Sequence, residues 1–192
     1  MTSMPAAINK LFWGLIIVLL DFNIIFFDVF PDFIGYAIVA SGLGQLQPYS
    51  PSFLKARLAA VTLSIFSFLA MFQIPVNLLE GFQPTGSILL MLLATAILSL
   101  IHILLVSFAI TGLIEISGAN AEKRLTGYII ISLISIAAIP FILNIGEHGA
   151  ILIIFGCAFA AIAAEIMILV LLRNFRSHFM EQDKANMPKT IG

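Results

Sequence analysis

ILLMLLATAILSLIHILLVSFAITGL, residues 88–113, is an unbroken apolar run with a single ionisable side chain, His102. As a helix rising 1.5 Å per residue it covers about 39 Å, more than the roughly 30 Å hydrocarbon core of a bilayer. The surrounding sequence has the same character. Of 192 residues, 61% are hydrophobic and 10% charged, against roughly 45–50% and about 25% in soluble domains. Mean hydropathy is +1.13. A water-soluble fold of this size has too little interior to hide so much apolar surface, so the composition predicts an integral membrane protein.

Working outward from residues 88–113, five more segments approach spanning length: residues 8–27, 33–47, 58–79, 128–145 and 151–172. Turn chemistry separates them: Asp28-Val29-Phe30-Pro31-Asp32, Pro48-Tyr49-Ser50-Pro51, Glu80-Gly81-Phe82-Gln83-Pro84, residues 117–126, and Gly146-Glu147-His148-Gly149. Proline and glycine punctuate most of these breaks. The expected fold is all-α: a polytopic membrane protein of six transmembrane helices in three hairpins. It forms one membrane domain over residues 1–172, followed by a cytoplasmic tail over 173–192. Lys10 precedes the first apolar run in the manner of a signal peptide. No small-x-small cleavage site follows, however, and the run leads into Asp21, so the helix is expected to be retained.

The charges orient the bundle. With six spans, Lys10, Lys55, Arg57, Lys123, Arg124, Arg173, Arg176, Lys184 and Lys189 all fall on one side. The other side carries Asp28, Asp32, Glu80 and Glu147 and no basic residue. The positive-inside rule then puts both termini in the cytoplasm, with Trp13, Tyr49 and Tyr128 at the depth of an aromatic belt.

Several functions are excluded or disfavoured. A net charge of −1 gives no general attraction to nucleic acid. The single Cys157 rules out an intrachain disulfide or a cysteine-based cluster and reads as a small packing residue. Walker, GxGxxG, HExxH and GxSxG motifs are missing, and no cofactor is implied.

The stretch Leu11-Phe12-Trp13-Gly14 through Asp21-Phe22-Asn23, then Phe27-Asp28-Val29-Phe30-Pro31-Asp32-Phe33-Ile34-Gly35-Tyr36, resembles the N-terminal hairpin of a family of small, uncharacterised multi-pass membrane proteins of Bacillota. The resemblance covers roughly residues 10–46. It implies a multi-pass protein of the bacterial plasma membrane and carries no activity with it.

Ionisable groups within a bilayer are costly and therefore functional candidates. Asp21, His102 and Glu165 fall inside the expected spans. His102 lies as far past its span's outer start, at 88, as Glu165 lies past the start of its own, at 151. Helical rise puts both about 21 Å below the outer boundary. Equal depth permits a His–Glu pair between spans four and six, suited to sharing a proton; the alternative is that each is satisfied separately. Asp21 and Asp28 share a helical face, and Asp32 opens a second, short span over residues 33–47. That span is short enough to draw the acidic tip below the surface, where oxygen ligands could take a cation, although Asp32 also suits a helix N-cap. The identity of any metal stays open.

Asn77 and Glu80 end span three, and Asn144 and Glu147 end span five, each pair following a proline (Pro75, Pro140). Asn23 and Asp28 echo the pattern in span one, although the three occurrences are unequally spaced along the chain. Prolines here would free backbone carbonyls, as in broken transporter helices, or simply terminate the helix. Ala37 with Ser41, Ala40 with Gly44, and Ala160 with Ala164 have the small-xxx-small spacing of close helix contacts.

Three functional classes follow. The first is a small solute or ion transporter, or a solute-binding membrane component. In outline it resembles the substrate-binding subunits of energy-coupling vitamin transporters, although residues 8–27 lack their alanine-rich face. The second is a non-catalytic assembly or envelope-maintenance protein, acting with a membrane-protein partner or as a homo-oligomer. The third, an intramembrane enzyme, has least support, because no nucleophile–base or metal-ligand spacing stands out. The pathway candidates are Asp21, Asn23, Asp28, Asp32, Asn77, Glu80, His102, Asn144, Glu147 and Glu165. The expected partners are the lipid bilayer and a small solute or cation.

Overall fold

The computed structural model describes residues 3–20, 32–70, 86–142 and 147–186. Six α-helices account for nearly all of them: α1 Met4–Leu20, α2 Asp32–Leu46, α3 Pro51–Ala70, α4 Gly86–Ser117, α5 Glu122–Ile142 and α6 Glu147–Asn186. A 3₁₀ turn, Gln47–Tyr49, joins α2 to α3. Three helices contain stretches long and apolar enough to cross a membrane: Pro51–Ala70, Leu92–Ser117 and Leu152–Ala185. α1 is a shorter apolar helix.

Each helix packs on its neighbours in the chain, and α6 returns to α1, so the six close into a ring. The tightest seam is α1 against α2, and glycine makes it possible. A Cβ on Gly14 would lie 2.6 Å from Val39 Cγ2 and 2.8 Å from the Gly35 carbonyl oxygen. A Cβ on Gly35 would meet the Gly14 carbonyl oxygen at 2.8 Å, and one on Gly42 would meet Leu11 Cδ1 at 2.7 Å. Two backbones therefore touch where any side chain would hold them apart. Of the small residues singled out in α2, Ser41 accepts a hydrogen bond from Lys10 Nζ (3.3 Å) and Gly44 lies against the Arg57 guanidinium.

Sequence hydropathy places several helix ends too far inside. α3 starts at Pro51 rather than 58, because Ser50 caps it. Its Oγ accepts the Ser52 N–H (3.0 Å), and Pro51 sits where no N–H is needed. α4 continues past 113 to Ser117 and stops at Gly118, whose φ of 65° suits glycine and whose N–H reaches the Ile114 carbonyl (2.9 Å). α6 runs on to Asn186, beyond the apolar limit at 172. Helices extend past the apolar stretch because backbone hydrogen bonding continues into the polar interface.

Packing is uneven along the bundle. Among the described residues most buried side chains come from the first part of α1 (Ile8, Leu11), α3 (Phe53, Ala56) and α5 (Tyr128), and from the later parts of α2 (Leu43, Leu46), α4 (Val106, Ile110) and α6 (Ile168, Leu172). All of these belong to one end of the ring, the end that carries the basic residues. There α4 crosses the centre toward α1, α2 and α6 through Leu105, Val106, Ala109 and Ile110. The outer faces of the helices are greasy: Phe159 is 71% exposed, and Phe66, Leu93, Leu133 and Leu152 also point outward. Water-soluble monomers do not present apolar surface on every side, and hydrocarbon is the solvent that fits it.

Candidate functional site

Four helices meet at one layer of polar side chains. Tyr36 from α2, His102 from α4, Tyr128 from α5 and Glu165 from α6 form a continuous hydrogen-bonded chain. His102 Nε2 lies 3.0 Å from Glu165 Oε1. Tyr128 donates its hydroxyl to that same oxygen at 3.0 Å. On the other ring nitrogen, the Tyr36 hydroxyl lies 3.0 Å from His102 Nδ1, and the two rings meet edge to face at 5.8 Å. The structure therefore brings His102 and Glu165 into direct contact across helices.

The chain admits two proton arrangements. With a neutral imidazole, Tyr36 donates to Nδ1 while Nε2–H donates to Glu165. With an imidazolium, both ring nitrogens donate, Tyr36 becomes an acceptor, and its own proton turns outward. One proton thus separates two fully bonded states.

The polar layer is the floor of a cavity of about 540 Å³ bounded by all six helices. His102 and Glu165 retain 15% and 20% side-chain exposure, so they face into it and are not sealed in the core. Asp32 lines the same space. α2 begins there, one helical turn before Tyr36, whereas α4 begins at Gly86, several turns before His102. By helical rise Asp32 lies about 6 Å above the polar layer and the start of α4 about 24 Å above it, so the second helix starts deep within the bundle. Apolar Leu15, Leu63 and Ile136 complete much of the wall.

Ser67, Thr95, Ser99, Ser132 and Ser135 bring hydroxyls to the cavity. Two of them spend their proton on their own helix: Ser99 Oγ donates to the Thr95 carbonyl (2.9 Å) and Ser135 Oγ to the Ile131 carbonyl (3.0 Å). What they turn toward the cavity is lone pairs. Cys157, the chain's one cysteine, also lines the cavity and is partly exposed.

Tyr36 and Tyr128 are the members that sequence reading missed. Tyr128 does not belong to an aromatic belt; it is fully buried, because α5 starts at Glu122 and carries it about 9 Å inward. The available signal was chemical: a tyrosine enclosed among apolar helices needs a partner for its hydroxyl. Glu115 was also missed. It accepts hydrogen bonds from Ser50 Oγ and from Ser52 Oγ (3.2 Å), tying the start of α3 to the end of α4.

Of the other candidates, Asp21, Asn23, Asp28, Asn77, Glu80 and Asn144 lie outside the described residues, and Glu147 is the first residue of α6. Among the described residues, no group of three or more His, Cys, Asp or Glu converges to hold a metal ion. The chain matches no protein family, no curated protein and no solved structure.

Proposed function

We propose that this is a six-span protein of the bacterial plasma membrane, both termini cytoplasmic, that binds a small solute or ion in its central cavity and serves its transport. One observation carries the reading: a cavity of about 540 Å³, within the usual range for small-ligand sites, ends on a half-buried ionisable chain contributed by four helices. A membrane protein with no polar ligand to receive has little reason to hold a histidine and a glutamate together at that depth, since burial of each costs free energy.

The six-span topology draws support from the alternation of the helices around the ring and from the basic residues at one end. With that end cytoplasmic, the cavity lies on the outer side of the polar layer, which helical rise sets about 24 Å below the start of α4 and so past the middle of a roughly 30 Å core. α2 is too short to span alone, at about 22 Å, and crosses by virtue of its packing between α1 and α3.

The assembly reading rests on a shallow groove between α2 and α3, lined by Ala37, Ala40, Ser41 and Ser64. One experiment separates the two. Purified protein in nanodiscs is heated with a panel of small cations, anions and neutral solutes, alone and as the Ala161→Trp variant. Ala161 lines the cavity one turn from Glu165 on α6, so an indole there occupies the space beside the polar floor. A solute at 100 times its Kd raises stability by about 2.7 kcal/mol. The expected result is a raised Tm with at least one solute, reduced or abolished in Ala161→Trp. A shift left unchanged by Ala161→Trp, or none across the panel, overturns the proposal.

A further inference from the structure

Building on the cavity-binding reading, we infer that the cavity takes a small organic cation with N–H donors and an apolar body. This cation binds in exchange for the proton held by the Tyr36–His102–Glu165–Tyr128 chain.

Three observations converge on the ligand class. First, the ionisable groups lining the cavity from the described helices are Asp32 and Tyr36 on α2, His102 on α4, Tyr128 on α5, and Cys157 and Glu165 on α6; α1 and α3 contribute none. With both carboxylates ionised and the phenols and thiol neutral, His102 is the only positive group among them, and when it is neutral the wall is anionic. Second, the Ser99 and Ser135 hydroxyls turn acceptors inward, having donated to their own backbones, and Tyr128 has donated to Glu165. An acceptor-rich wall selects a donor-rich guest such as a guanidinium or ammonium group. Third, the remaining wall is largely aliphatic, and the volume far exceeds one ammonium group, leaving room for an apolar body.

The exchange follows from the same geometry. An imidazolium at His102 neutralises Glu165 and repels a second cation entering the low-dielectric space. When the cation binds, the Nδ1 proton passes to the Tyr36 oxygen and the Tyr36 hydroxyl proton leaves by the cavity. Nε2–H stays on Glu165 throughout. Tyr36 then donates to Nδ1, so both states keep every bond of the chain. The proton and the cation are alternative countercharges for the same carboxylates, and their binding is reciprocally linked.

The test is calorimetry on the full-length protein in nanodiscs. Phenylguanidinium is titrated in phosphate and in HEPES, whose ionisation heats differ, from about pH 6.5 to about pH 8. Phenyltrimethylammonium (same charge, no N–H) and benzoate (opposite charge) serve as comparisons. The expected result is phenylguanidinium binding with close to one proton released per cation. Its affinity falls with acidification, by up to about tenfold per pH unit. The His102→Gln variant, monodisperse and helical, binds the cation with no proton release and no pH dependence. Wild-type binding without proton release overturns the exchange and leaves the cavity reading standing. Tighter binding of benzoate overturns the cation class, and equal binding of phenyltrimethylammonium overturns the donor requirement. Failure of all three probes to bind overturns the inference, and the reading beneath it falls only if the wider solute panel also gives no shift in Tm.

Discussion

Glu165 Oε1 accepts from both His102 and Tyr128, so either bond can be deleted while the other still holds the carboxylate. Tyr128→Phe removes one donor and little volume. The expected cost is about 0.6–1.5 kcal/mol in reversible unfolding, the range for a single hydrogen bond in or out of a membrane. Because the bonds share an acceptor, Tyr128→Phe and His102→Leu, which carries no donor, should not add; a double-mutant cycle should give a coupling of at least about 0.5 kcal/mol. Additive effects would mean that the two bonds do not act on one carboxylate. At this scale the sequence was half legible. Equal counts from the starts of two parallel spans put His102 and Glu165 level, because helical rise is nearly invariant. The tyrosines escaped because hydropathy treats a ring at the interface and a ring in the core alike, and only helix ends and rotations tell them apart. Asp32 was legible as a polar residue opening a short helix. Its neighbourhood with His102 depends on how deep α2 starts, which no local signal encodes.

Among the elements, the α1–α2 seam makes the sharpest prediction. Gly35→Ala would drive a methyl to within 2.7 Å of Val18 Cγ2 and 2.8 Å of the Gly14 carbonyl oxygen, and a carbonyl cannot yield as a side chain can. The expected destabilisation is about 1–3 kcal/mol, from overpacking. Gly127→Ala in α5 is the control, since a Cβ there meets nothing within 4 Å. It should be neutral or stabilising by up to about 1 kcal/mol, through helix propensity. If chemical denaturation shows equal effects at the two sites, the seam is not held by close backbone contact. The existence and order of the helices could be read from apolar length alone. Their ends could not, because Ser50-Pro51, Gly118 and the polar run after 172 are specified by capping and interface chemistry. Glu115 fell outside the apolar stretch for the same reason, yet it joins two helices. Glu115→Ala should cost about 1 kcal/mol, given the exposure of the carboxylate.

For the whole molecule, Cys157 is a built-in reporter. It lines the cavity, and it is the chain's one thiol. A membrane-impermeant methanethiosulfonate should modify it from outside the cell and not from the cytoplasmic face, where Leu11, Val106, Ile110 and Ile168 close the bundle. Modification from the cytoplasmic side alone would reverse the orientation proposed above.

The uneven packing also divides the labour of the six helices. Among the described residues the buried apolar side chains concentrate at the filled end, and the lengths that line the cavity contribute few of them. Unfolding must break the filled end, whereas filling the cavity need not. Substitutions should therefore sort by position. Those at Leu43, Phe53 or Ile168 change how long the protein survives, and those at Ser67, Ser99 or Ser132 change how quickly its cavity fills and empties.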